Sequence, residues 1–163
     1  MTQEKQTAIN EIEKKKDLIR ETADHIWSHP ELSLQEDQSA AYYCDILEKE
    51  GFQVERGICG IRTAFAASFG QGSPRIGILA EYDALSGLSQ EAGSLEQKEI
   101  VPGGCGHGCG HNLLGAGAFG AVLGVKAYLE ETGREGTVIL FGCPGEEGGA
   151  ANAFMARAGL WQS

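Results

Sequence analysis

The sequence has little positive charge. Thirteen lysine and arginine residues stand against 23 aspartate and glutamate residues, a formal net charge of −10, which disfavours nucleic acid and anionic membranes as partners. No apolar run approaches the roughly 20 residues that span a bilayer. The polar segment of residues 1–10 lacks the basic-then-apolar order of a secretory signal. We therefore expect a cytoplasmic protein with no membrane partner.

Cysteines are few and odd in number. The chain has five and contains no Cys-x-x-Cys pair, which argues against a disulfide framework and against a thiol-redox centre. Cys105 and Cys109 lie between glycines and histidines, a setting typical of reduced thiols that bind metal. The Gly-Lys-Ser/Thr sequence of a phosphate-binding loop is also missing after this glycine-rich segment, which disfavours a phosphate cradle.

With 42% hydrophobic residues in 163, the chain can bury one sizeable core. Periodicity and β-propensity predict helices over about residues 5–28, 35–50, 112–131 and 148–158, and strands at 53–56, 63–69, 75–80 and 137–142. The run at 75–80 lacks alternation, which predicts a strand covered on both faces. This order predicts an α/β fold with a layered, mostly parallel sheet and flanking helices.

Polar motifs lie next to the predicted elements in a regular way. Glu81 and Asp83 follow one strand, the Cys/His segment 105–111 precedes a helix, and Glu146 and Glu147 follow another strand. Open α/β sheets place ligands at the carboxyl ends of their strands. We therefore expect the three motifs to form one site.

The segment 105–111 contains two copies of Cys-Gly-His. A cysteine and a histidine separated by one residue can reach the same metal in a non-helical loop, and the glycines permit the sharp turns required. Spacing does not distinguish Cys105 and His107 from Cys109 and His111. The alternative is a glycine-rich turn whose histidines only cap the following helix.

The adjacent carboxylates Glu146 and Glu147 lie in a loop bounded by Pro144-Gly145 and Gly148-Gly149. One can bind a metal while its neighbour moves the proton of an attacking water, as metal-assisted amide hydrolysis requires. They could equally complement the dipole at a helix start, and the two roles are compatible. Asp83 could orient a ligand histidine, bind a metal or cap a turn.

Four segments resemble one known family: HPELS at 29–33, AEYDAL at 80–85, GHGCGHN at 106–112 and CPGEEGG at 143–149. They are similar to motifs of the aminoacylase/carboxypeptidase-type metallopeptidases, and most of all to the branch of aminobenzoyl-glutamate and indole-acetyl-amino-acid hydrolases. The likeness runs over nearly the whole chain. Two departures are Asn112, where related enzymes often have Asp, and Glu81-x-Asp83, where many members have His-x-Asp.

The resemblance implies a set of roles. Cys109, His111 and Glu147 would bind metal, Glu146 would be the general base, and Asp83 and His107 would lie beside the ligands. The cofactor would be zinc or manganese, with two ions in the complete enzyme. Residues 1–163 would form the N-terminal part of a catalytic domain, without the family's lid or dimerisation domain.

The implied activity is a metal-dependent amidohydrolase that cleaves the amide bond of N-acyl amino acids, with p-aminobenzoyl-glutamate favoured. The resemblance further implies a homo- or hetero-oligomer when complete. The alternative is a catalytically incomplete metal-binding fragment that acts as a regulatory or assembly module.

Overall fold

Helices and strands alternate largely as the sequence predicts. A computed structural model of the chain describes residues 2–161. The helices are α1 (Gln3–Lys14), α2 (Lys16–Ser28), α3 (Asp37–Lys49), α4 (His111–Thr132) and α5 (Ala151–Arg157). The strands are β1 (Gln53–Arg56), β2 (Phe65–Gln71), β3 (Arg75–Ala80) and β4 (Gly136–Gly142).

The strands form one mixed sheet in the order β1-β2-β4-β3. The α/β class with flanking helices is confirmed, but the prediction of a mostly parallel sheet is wrong: only β3 and β4 pair in parallel, and the other two pairings are antiparallel. The reason lies in the connections. Residues 57–64 join β1 to β2 and residues 72–74 join β2 to β3, with no crossover helix in either segment, whereas α4 joins β3 to β4.

Helix α4 is the centre of the helical layers. One side of α4 packs on β3 and β4, α1 and α2 pack on its outer side, and α3 packs against β1 and β2. Strand β4 is buried along its whole length. Its residues Val138 and Leu140 join the core beneath α4, while Ile139 and Phe141 join a second cluster that includes Met155 of α5. Strand β4 is therefore covered on both faces.

Strand β3 is more exposed than its sequence predicts. Ile76 is 50% exposed and Leu79 is 42% exposed, so the prediction of a strand covered on both faces is wrong for β3. Strand β3 lies at the end of the sheet with β4 as its neighbour, and its side chains Ile78 and Ala80 face the core beneath α4. A short apolar run does not distinguish an edge strand from a central one.

The helix predicted over residues 5–28 is two helices. Lys15 separates α1 from α2, with φ −95° and ψ 6°. Its ammonium group lies 2.6 and 2.8 Å from the two carboxylate oxygens of Glu50, which follows α3. Neither glycine nor proline occurs at this break, so the sequence carries no signal for it.

Helix α4 has 22 residues and is long and apolar enough, by length and composition alone, to cross a membrane. The prediction that no segment approaches that limit is therefore wrong for α4. The buried core helix of a folded domain can have the same length and apolar composition. Since α4 is packed between the sheet and the outer helices, that packing accounts for its apolar composition.

Glycines allow the close packing of α4. A Cβ atom at Gly115 would collide with the Tyr43 hydroxyl and lie 2.8 Å from the Glu81 carbonyl oxygen. A Cβ atom at Gly120 would lie 2.9 Å from Ile19 of α2. The sequence predicts a helix pressed closely onto a sheet, and Gly115 meets that description at the end of β3. Gly120 instead permits the approach of an outer helix.

We predict that Gly115→Ala lowers the free energy of unfolding by about 1–3 kcal/mol, because the new methyl group has no space. Gly117 is the matched control: it is exposed on the same helix, with nothing within 4 Å of an added Cβ. Gly117→Ala should raise the free energy of unfolding by up to about 1 kcal/mol through helix propensity. Urea unfolding followed by circular dichroism measures both, and similar shifts in the two variants would contradict the packing argument.

Candidate metal centre

The three polar motifs meet at the carboxyl ends of β3 and β4. Glu81 directly follows β3, and His111 is the first residue of α4. The chain continues past β4 at Cys143, whose backbone N–H donates to the Ala80 carbonyl over 2.8 Å. This bond keeps the segments that leave the two parallel strands side by side, so the loop bearing Glu146 lies next to Glu81.

Two overlapping groups of potential ligands occur here. One consists of Cys109, His111 and Glu147 and the other of Glu81, His111 and Glu146, and in each group the three donor atoms lie within 4.8 Å of one another. His111 belongs to both. Its Nε2 atom is 3.4 Å from a Glu81 oxygen, 3.7 Å from a Glu146 oxygen and 4.0 Å from a Glu147 oxygen. Thiolate, imidazole and carboxylate together suit zinc, and the carboxylate-rich group also suits manganese.

The orientation of His111 follows from two features. Gly110 has φ 89°, a left-handed conformation that glycine adopts readily, and it caps α4 so that His111 begins the helix. The Nδ1 atom of His111 is 2.9 Å from Oδ1 of Asp83. This bond assigns the ring proton to Nδ1, because a carboxylate accepts hydrogen bonds. The Nε2 lone pair is then free to face the carboxylates, as in metal-binding histidines.

The Asp83 carboxylate also organises the opposite loop. Its Oδ2 accepts hydrogen bonds from the Ser33 hydroxyl over 2.9 Å and from the Glu147 backbone N–H over 2.8 Å. The Asp83 side chain is completely buried. Of the roles considered for Asp83, this geometry matches the orienting one, since both carboxylate oxygens are occupied by hydrogen bonds.

The electrostatics of the cluster favour a cation. The adjacent Glu147 carboxylate raises the pKa of the Cys109 thiol, and burial and the charges of Glu146 and Glu81 raise it further. Oε1 of Glu147 is buried and accepts no hydrogen bond from residues 2–161. A bound divalent ion would satisfy that oxygen and offset the repulsion among the carboxylates. The residues present therefore fit a metal.

The other polar residues of the GHGCGHN segment and the adjacent Cys105 contact parts of the protein away from the ligand cluster. His107 is only 4% exposed, and its Nε2 donates to the Ile26 carbonyl over 3.0 Å. Burial lowers the pKa of this histidine. Asn112 donates from Nδ2 to the Ala23 carbonyl over 3.3 Å, so it too contacts α2. Cys105 lines a separate groove beside Trp27 and belongs to neither ligand group within residues 2–161.

Sequence reasoning missed two supporting residues. Asn152 of α5 donates from Nδ2 to Oε1 of Glu81 over 2.9 Å, which leaves Oε2 of Glu81 facing His111. Ser33 supports Asp83 from the loop before α3. The HPELS segment carried a signal for Ser33, whereas nothing around Asn152 distinguishes it from a surface helix residue.

The fold and the ligand cluster are of a kind found in a family of peptidases. The chain belongs to peptidase family M20/M25/M40, whose profile matches residues 77–162. This finding confirms the resemblance seen in the motifs.

Individual relatives agree with the family. Over 150 residues the chain is 51% identical to a subunit of the p-aminobenzoyl-glutamate hydrolase of Escherichia coli K12, a match that covers 92% of this chain and 31% of the relative. It is 28% identical to the Xaa-Arg dipeptidase of Mus musculus, with coverage of 98% and 36%. The chain thus spans about a third of the length of these curated relatives.

A solved structure supports the same assignment. The crystal structure of Bacillus subtilis YXEP, described as a dinuclear metal binding peptidase of the M20 family, superposes with a TM-score of 0.70 at 26% identity. The match covers 90% of this chain and 40% of that one.

We predict that Cys109→Ser and His111→Ala each weaken zinc binding by the purified chain by about tenfold or more, because each removes a donor atom. Competition titration against a chromophoric chelator measures the affinity. Cys105→Ser is the matched control, a thiol of the same loop outside both ligand groups. Equal loss of affinity in Cys105→Ser would reverse the assignment.

Proposed function

We propose that the chain carries metal-binding and proton-transfer residues of a metal-dependent amidohydrolase that acts on N-acyl amino acids. The observation that carries this proposal is the cluster around His111, where a thiol, an imidazole and carboxylates converge beside a buried, orienting Asp83. Family membership supports it, because the family is one of peptidases.

Cys109, His111 and Glu147 would hold the ion. A bound divalent ion, zinc or manganese, supplies polarisation of the amide carbonyl and lowers the pKa of water toward neutrality. The complete enzyme would hold two ions, in line with the dinuclear description of the Bacillus subtilis structure. Of the second group, Glu81 would be the carboxylate available to a second ion, while Glu146 would stay off the metal.

Glu146 is the proposed general base. Its side chain is 45% exposed, whereas that of Glu147 is 18% exposed, so Glu146 is more open to solvent and to an incoming substrate. A carboxylate that stays off the metal can take a proton from water and pass it to the leaving amine. Asp83 keeps His111 in the tautomer whose Nε2 atom carries no proton and can bind the ion.

The favoured substrate is p-aminobenzoyl-glutamate. The support is the 51% identity to a subunit of the hydrolase named for that compound. Other relatives are named for different amino-acid derivatives, including two IAA-amino acid hydrolases of Arabidopsis thaliana at 32% identity. Because the Escherichia coli relative is by name one subunit of its enzyme, assembly of this chain with a partner chain is part of the proposal.

We predict different effects on zinc affinity for substitutions of Glu146 and Glu147. Glu147→Gln should lower the zinc affinity of the chain, because it weakens a ligand. Glu146→Gln should leave zinc affinity unchanged. In a hybrid where this chain replaces the matching segment of the Escherichia coli relative, Glu146→Gln should lower kcat by about 10² to 10⁴.

Zinc titration and steady-state kinetics on the same two variants decide between the roles. The unsubstituted hybrid must hydrolyse p-aminobenzoyl-glutamate for the kinetic comparison to count. If Glu146→Gln empties the site and Glu147→Gln retains zinc, the two roles are exchanged. If neither substitution alters turnover, the pair only begins a helix.

The regulatory or assembly module is the second candidate, since the Escherichia coli relative is by name one subunit of its enzyme. We predict that the isolated 163-residue chain binds zinc but hydrolyses acyl-glutamates poorly or not at all. A colorimetric assay for released p-aminobenzoate, run with the chain and with the hybrid, tests this. Robust turnover by the monomeric chain would contradict this prediction. If the hybrid with the Escherichia coli relative binds zinc but shows no turnover, the regulatory or assembly module is favoured.

A further inference from the structure

A second buried carboxylate lies next to the candidate centre. Glu36, just before α3, is 0% exposed. Its Oε1 accepts hydrogen bonds from the backbone N–H groups of Leu34 and Gly145, both over 2.8 Å. Its Oε2 accepts a hydrogen bond from the Thr63 hydroxyl over 3.0 Å. Glu36 thus joins three segments of the chain, and one of them carries Glu146 and Glu147.

The loop before α3 and the loop after β4 are in close contact. Leu34 has φ 65°, a left-handed backbone conformation that is uncommon for leucine. A Cβ atom at Gly145 would lie 3.0 Å from the Leu34 side chain, and one at Gly149 would lie 2.9 Å from it. The loop before α3 and the loop after β4 are therefore packed backbone to side chain, with the Glu36 carboxylate bonded to both.

The two buried carboxylates hold the backbone on either side of Glu146. Glu36 accepts from the N–H of Gly145, the preceding residue, and Asp83 accepts from the N–H of Glu147, the following residue. A further bond of 2.8 Å from the Gly149 N–H to the Gly145 carbonyl closes the loop. The course of the backbone at Glu146 is thereby fixed from both sides.

We propose that Glu36 is a positioning residue for the metal centre: through the Gly145 N–H it sets the loop that presents Glu146 and Glu147. This inference rests on the proposed function, since it assumes that Glu147 binds metal. A carboxylate is costly to bury, and burial raises the pKa of Glu36 while its hydrogen bonds oppose that rise. If Glu36 served core stability alone, it would not need a hydrogen bond from the Gly145 N–H in the loop that carries Glu146 and Glu147.

The two oxygens of Glu36 provide a matched comparison. Glu36→Gln can place its carbonyl oxygen at the Oε1 position and keep both backbone bonds, while its amide group donates to the Thr63 hydroxyl. Thr63→Val removes the Oε2 bond alone and keeps the side-chain volume. Glu36→Asp keeps the charge but withdraws the carboxylate from Gly145, and Glu36→Ala removes every bond.

The experiment uses the 163-residue chain and two probes, zinc in a chelator competition and cobalt(II) followed by its absorption spectrum. We expect Glu36→Ala and Glu36→Asp to weaken zinc binding by about tenfold, as substitution of groups supporting metal ligands does, and to alter the cobalt spectrum. Glu36→Gln should keep the affinity and the spectrum of the unsubstituted chain. Thr63→Val should keep both even where thermal unfolding shows lower stability.

Each outcome bears on the proposal. If Glu36→Ala does not fold, Glu36→Asp decides in its place. Unsubstituted affinity and spectrum in the folded Ala or Asp variant overturn the positioning role and leave the proposed function intact. If Thr63→Val loses as much zinc affinity as the Glu36 variants, Glu36 has only a structural role, and the positioning role is overturned as well. Failure of the unsubstituted chain to bind either metal overturns the metal centre itself, and the positioning role with it.

Discussion

The Asp83 carboxylate is the contact on which the candidate centre depends. Its two oxygens bond to His111 at the start of α4, to the Glu147 backbone after β4 and to Ser33 before α3. A fully buried carboxylate is strongly destabilising unless such donors surround it, so the three segments must assemble around it together. The same bonds that offset its burial also aim the imidazole and place the Glu147 backbone. Fold stability and ligand geometry therefore share one set of hydrogen bonds.

The mixed sheet explains why a second carboxylate can join this arrangement. The parallel pair β3 and β4 brings two carboxyl ends to one edge, as expected for a site in an open α/β sheet. Because β2 runs antiparallel to β4, with Phe65 opposite Gly142, the start of β2 lies at that same edge. Thr63 precedes β2 and donates to Glu36 there. A fully parallel sheet would have placed the start of β2 at the opposite edge, away from Glu36 and the loop after β4.

Much of this organisation could be predicted from the sequence, and the exceptions have physical causes. The bounds of β1 and β3 follow from local pattern, and the convergence of Glu81, His111 and Glu146 follows from strand order. Spacing left Cys105 and Cys109 equivalent, because the choice depends on the left-handed Gly110 that starts α4 at His111. Glu36 has no signal at all: it stands between Gln35 and Asp37 in a polar stretch, and only tertiary packing buries it. The exposure of β3 likewise depends on its place in the sheet.

The same packing distinguishes two adjacent glutamates of identical chemistry. Glu147 has its own backbone N–H bonded to Asp83 and a buried side-chain oxygen without a hydrogen-bond donor among residues 2–161, which suits a ligand held in one position. Glu146 has a backbone fixed on both sides but a side chain that is 45% exposed. A residue that carries a proton needs a backbone held in place and a side chain that can move between water and a leaving amine. The roles proposed for the two glutamates therefore follow from which of the two side chains the loop turns inward.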